Sequence, residues 1–261
     1  IKWPFTWFEF DYGLEQPQFN VYRVLHDAQS AYSKNVDGLI AEFWRTKMLS
    51  PMFAAYKEAT WEYGSTRKSL TKNLPETDSG IYNKVDEIYL DWARHEFGPG
   101  PVAEQIASDL SRFDRNWEDR TFKDVTNFSE GADGIYSQGY ITGEAWWTEE
   151  PWEAWEEEKE ELSWINDWDV LRNQIEGQGN LARFDYWHNV FKVYKLMGQF
   201  SSVLNQYDSL IEAGNLKAAA SSRSELARLW EKIMSTQVQR VSDEVDLGEI
   251  INLHWRTWRN W

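Results

Sequence analysis

The chain has 261 residues, no cysteine and a formal net charge of −16. Without cysteine it has no disulfide framework and no thiolate metal site. The acidic balance argues against nucleic acid and anionic lipid as partners, because both call for basic patches. No apolar run is long enough to span a bilayer, and no signal peptide is visible. The 17 Trp, 12 Tyr and 13 Phe sit in a chain that is 27% charged. Many of these rings fill a core, and the excess is a mild argument for ligands that stack on rings. The chain does not begin with Met and enters a strand almost at once, so it reads as part of a longer protein.

The opening stretch, Lys2 to Gly13, is aromatic, β-branched and acidic, which suits a strand better than a helix. Alternation puts Trp7, Glu9 and Asp11 on one face and Phe8, Phe10 and Tyr12 on the other. Two carboxylates beside an indole match the needs of a sugar-cleaving site, in which carboxyls move protons or stabilise positive charge and a ring stacks on the sugar. An edge strand with a solvated acidic face accounts for the same pattern. Residues from about Phe19 to Tyr32 have helical spacing, with Val21, Val24, Leu25, Ala28 and Tyr32 inward. Val36 to Lys47 centres on a continuous apolar run, as in a strand of a parallel sheet buried on both faces. The first fifty residues thus read as one βαβ unit.

Pro51 to Trp61 is helical, with Met52, Ala55, Tyr56 and Ala59 in a stripe. Gly64 to Gly80 reads as a loop. Tyr82 to Phe97 is a helix stopped by Gly98-Pro99-Gly100-Pro101, and Pro101 opens another, to about Phe113. Asn116 to Tyr140 reads as irregular. An acidic helix is expected from about Pro151 to Ile175, a long one from Leu181 to about Ala213, and another from Asn215 to about Arg240. The tail Asp246 to Trp261 forms a last helix. The boundary falls in the loop, with α/β structure before it and all-α structure after it.

Four features in this order resemble the end of the catalytic barrel, and the helical domain after it, in α-glucuronidase-type glycoside hydrolases and the related α-N-acetylglucosaminidase family. They are Glu9-Phe10-Asp11-Tyr12-Gly13; Gly38 to Thr46; Met52-Phe53-Ala54-Ala55-Tyr56 running to Trp61; and Tyr89 to Gly98 with its closing Phe-Gly. The resemblance covers about the first hundred residues, and the rest only as a helical domain. It implies an α/β part at 1–64, the last strands of a (β/α)8 TIM barrel, then a linker at 65–80 and a helical domain at 81–261. Two strands cannot close an eight-stranded barrel. The N-terminal remainder of the same enzyme would supply the other strands and at least one catalytic carboxyl.

The resemblance also implies hydrolysis of a polysaccharide or oligosaccharide, possibly acidic, by carboxylate acid-base chemistry without a cofactor, in a secreted or periplasmic protein. Glu9 and Asp11 are the catalytic candidates. Trp7, Tyr12, Glu42, Trp44 and Arg45 are the substrate-binding candidates at the strand ends, with Trp146 and Trp147 from a glycine-bearing loop. Arg45 offers a planar fork to a carboxylate or sulfate; a salt bridge to Glu42 or Asp11 is its structural alternative. Barrel core is the alternative for Trp7 and Trp44, and helix packing for Trp146 and Trp147. His26, His95, His188 and His254 are scattered, none at a metal-ligand spacing. No phosphate loop or serine nucleophile elbow is present. The alternative function is a non-catalytic helical module that binds carbohydrate or acts as a scaffold.

Overall fold

The computed structural model describes residues 5–8, 19–36, 38–43, 47–60, 78–121, 155, 159–160, 162–244, 246–248, 250–251 and 254. These residues are mostly helical. They fall into two compact units, one carrying the N-terminal strands and four helices, the other the later helices.

In the first unit, strand β1 (Phe5–Trp7) runs parallel to strand β2 (Ile40–Glu42), with Phe5 opposite Ile40, Thr6 opposite Ala41 and Trp7 opposite Glu42. Helix α1 (Val21–Ser33) is the crossover between them. Parallel strands need such a crossover, and the expected βαβ unit is present. β2 is shorter than the apolar run suggested. Its three residues are only half-buried, where burial on both faces was expected. The described sheet has two strands, and α1 and helix α2 (Ser50–Thr60) pack on each other beside it. Val21, Val24, Leu25, Ala28 and Ala31 form the buried stripe of α1, whereas Tyr32, expected inward, is 46% exposed.

Helices α3 (Asp78–Phe97) and α4 (Pro101–Thr121) form a hairpin. Its turn uses Gly98 at φ 87° and Gly100 at φ 139°, conformations that an L side chain resists. α3 begins before Gly80, inside the expected loop. α4 runs eight residues past Phe113, into the stretch expected to be irregular. The apolar stripe ends there, but neither Gly nor Pro stops the helix until Thr121. Both helices belong to the same unit as the strands. The linker placed at 65–80 therefore falls within one unit, and most of it lies outside the described residues. Trp92 Nε1 donates to Ser50 Oγ at 2.9 Å and Lys84 pairs with Glu58 at 2.9 Å, tying α3 to α2.

In the second unit the expected acidic helix is broken. Helix α5 (Trp164–Leu171) is preceded by turns, continues as a 3-10 turn at Arg172–Gln174 and stops where Ile175 turns extended. Gly177, at φ 87°, then opens helix α6 (Gln178–Glu212), which pairs with helix α7 (Leu216–Arg240) across a turn at Gly214. Val193, Leu196, Met197 and Phe200 of α6 meet Leu226, Leu229 and Ile233 of α7 in a closed apolar core. Leu216 is 68% exposed at the start of α7. Asn215 caps α7, its side-chain oxygen accepting the Ala218 amide at 3.3 Å. The described residues of the tail are helical at 244, 246–248, 250–251 and 254.

Candidate functional site

The candidate site lies at the C-terminal ends of the two strands. In open parallel sheets and barrels alike, ligands bind at that end. The Phe8 amide extends the pairing past β1 by donating to the Glu42 carbonyl at 3.0 Å. Thr6 and Phe8 are both fully buried, two residues apart and so on one face. On that face Phe8 packs edge-on against Phe53 at 5.2 Å and Tyr56 at 5.7 Å from α2, and stacks on Phe43 at 6.0 Å. Phe43 in turn meets Phe53 edge-on at 4.7 Å. Tyr56 donates its hydroxyl to the Leu39 carbonyl, and burial pushes its ionisation above the ordinary tyrosine range. These rings set the height at which the strands end against α2.

Glu42 alternates with Ala41, the register partner of Thr6, so it falls on the other face of the pleat, where it is half-buried. It is a carboxylate at the end of a parallel strand. Trp7 is its register partner in β1. The other sequence candidates, Glu9, Asp11, Tyr12, Trp44, Arg45, Trp146 and Trp147, lie outside the described residues. Among the described residues, no group of three His, Asp or Glu is placed to hold a metal ion. No described helix is long and apolar enough to cross a membrane.

Two polar centres away from the strand ends were not singled out by sequence. In the first unit Asp114, only 1% exposed, accepts the Val21 amide at 2.9 Å and the Tyr89 hydroxyl at 2.8 Å, both at Oδ2. Asn20, the N-cap of α1, makes no side-chain cap bond, so a carboxylate from α4 does that work. Tyr89 is fully buried. Burial first, and the Asp114 charge second, push its hydroxyl well above the usual range and keep it a donor. An aspartate four residues after buried Leu110 was the available signal, hidden because the helix was expected to end at Phe113.

In the second unit three polar rungs fix α5 and the 3-10 turn that follows it on α6. Asn166 accepts from Lys195 at 2.9 Å, Asp169 from Lys192 at 2.8 Å, and Asp185 accepts Arg172 Nε at 2.7 Å and Nη2 at 2.8 Å. Behind them, the buried His188 has Nε2 3.0 Å from the Ile165 carbonyl and 3.7 Å from Asp169. Trp168 and Phe184 flank its ring at 6.0 and 5.5 Å.

No family model matches the chain, and neither a curated protein nor a solved structure does.

Proposed function

We propose that the chain is the C-terminal portion of a glycoside hydrolase that cleaves a polysaccharide or oligosaccharide, possibly an acidic one, by carboxylate acid-base chemistry. The observation that supports it is the parallel pairing of β1 and β2. Glu42 ends one strand, and the acidic, aromatic sequence Glu9-Phe10-Asp11-Tyr12 follows directly on the end of its neighbour. On this reading, one of Glu9 and Asp11 is the catalytic or substrate-orienting carboxylate and the other binds a hydroxyl. Glu42 and Arg45 hold polar groups of the substrate, and Trp7, Tyr12 and Trp44 stack on sugar rings. Trp146 and Trp147 are further sugar contacts on this reading. The strands that complete a barrel, and the second catalytic carboxyl, come from the N-terminal remainder of the enzyme, secreted or periplasmic.

The test uses the full-length protein with Glu9→Gln, Asp11→Asn and Glu42→Gln, assayed for release of reducing ends from oligosaccharides, with circular dichroism to confirm folding. Loss of an acid-base group costs about 10²–10⁴ in rate. One of the first two variants is expected to fall in that range, and Glu42→Gln to raise KM more than it lowers kcat. Wild-type turnover by both Glu9→Gln and Asp11→Asn, with normal folding, refutes the assignment.

A second reading, a non-catalytic carbohydrate-binding or scaffold module, is favoured by the α6–α7 hairpin, which buries an apolar core of its own. Sugar binding without cleavage by the full-length protein would select it.

A further inference from the structure

We infer that α5 is an acid-released flap, latched onto α6 by the neutral imidazole of His188. The inference is independent of the activity proposed above.

The eight residues of α5 fall below the length at which a helix holds itself together in water. Its N-cap, Ser163, makes no side-chain cap bond. α5 is therefore helical because it is docked. The docking consists of the three exposed rungs and of an aromatic seam, with Trp164 against Phe191 at 5.0 Å and Trp168 against Phe191 at 5.4 Å and Phe184 at 5.7 Å. Exposed ion pairs contribute little each. The seam and the His188 bond hold most of the contact, and among its described residues His188 is the one whose ordinary protonation falls near neutral pH.

Neutral His188 donates from Nε2 to the Ile165 carbonyl, a backbone acceptor in the first turn of α5. Protonation adds a second N–H to a ring that is 2% exposed and flanked by an indole and a phenyl. The charges that reach the ring are Lys192 and Asp185 on its own helix and Asp169 on α5. Asp169 is already held by Lys192, whose bond and charge outweigh burial and lower its ionisation, while Asp185 is engaged by Arg172. Burial first, then the Lys192 ammonium, lower the protonation of His188 below the ordinary histidine value. A base with a depressed value in the docked state favours docking above about pH 6.5, its unperturbed value. That preference is lost as pH falls from there to the docked value. The opening constant of α5 rises towards tenfold per pH unit across the window and then levels off. Opening uncovers Trp164, Trp168, Phe184 and Phe191.

The experiment is hydrogen exchange of the intact chain at pH 7.5, 6.5 and 5.5, corrected for intrinsic rates, with protection read over Trp164–Leu171. Wild type is expected to lose protection there below about pH 6.5, while the α6–α7 core keeps its own. His188→Gln retains an N–H donor for Ile165 but cannot titrate, and its α5 protection should be flat with pH. Flat wild-type protection, or an equal fall in His188→Gln, overturns the latch. If that variant does not fold, the wild-type His188 ring resonance decides instead. A midpoint clearly below that of an ordinary histidine supports the latch, and a midpoint at or above it refutes it.

Discussion

Replacing Asp114 by leucine probes the buried carboxylate that joins three helices of the first unit. The substitution leaves the Val21 amide and the Tyr89 hydroxyl without the oxygen they now share. Each stranded buried donor costs about 1–3 kcal/mol, so Asp114→Leu should destabilise by about 2–6 kcal/mol. Asp114→Asn separates charge from geometry. Both donors meet the same Oδ2, so one amide oxygen can accept both, and the loss shrinks to the charge-assisted share, about 1–2 kcal/mol. Tyr89→Phe removes one donor to a charged acceptor, about 1.5–3 kcal/mol. In the double variant Tyr89→Phe/Asp114→Leu, no stranded hydroxyl remains, so the combined loss should fall short of the sum by at least about 1 kcal/mol. Urea denaturation followed at 222 nm gives the four free energies, and hydrogen exchange over Val21–Ser33 assigns the loss to α1. The reasoning fails if Asp114→Leu costs less than about 1 kcal/mol, or if the two substitutions add.

The α6–α7 core and its cap make two smaller predictions. Ile233→Ala empties a fully buried position between the helices and should cost about 2–5 kcal/mol in the same titration. Asn215→Ala removes the side-chain acceptor of the Ala218 amide and should cost about 1 kcal/mol, with faster exchange confined to the first turn of α7.

Elements with strong periodicity were legible in the sequence. The stripe Val85, Ile88, Tyr89, Trp92 and Ala93 of α3, and the stripe Phe184, Trp187, Phe191, Tyr194 and Met197 of α6, are buried as their spacing required. The parallel pairing of β1 and β2 followed from an apolar run after a crossover helix. Ends were less legible, because apolar period marks the buried part of a helix and not its length. α4 continues through Arg115 to Thr121, where the chain has no breaker but also no stripe. The expected acidic helix is instead interrupted by turns at 159–160 and 162–163, which its run of good helix formers does not announce, although Trp155 and Leu162 are both buried. Of the candidate site, Glu42 was legible as a carboxylate near a strand end. Asp114 and His188 were not, because what gives each of them a role is a partner brought in by folding, a backbone amide in one case and a backbone carbonyl in the other.

The turn at Gly214 sets an order of events. α6 and α7 are neighbours in sequence, and their core closes with almost no loop to immobilise, so the entropy lost in joining them is small. β1 must instead wait for α1 to form and carry β2 back alongside it, a long-range closure of the kind that slows folding. During synthesis the strands leave the ribosome before the α6–α7 hairpin, yet their pairing needs the longer closure. The α6–α7 hairpin is built for the faster search, and an unpaired strand edge is a part of the nascent chain that needs shielding from other chains.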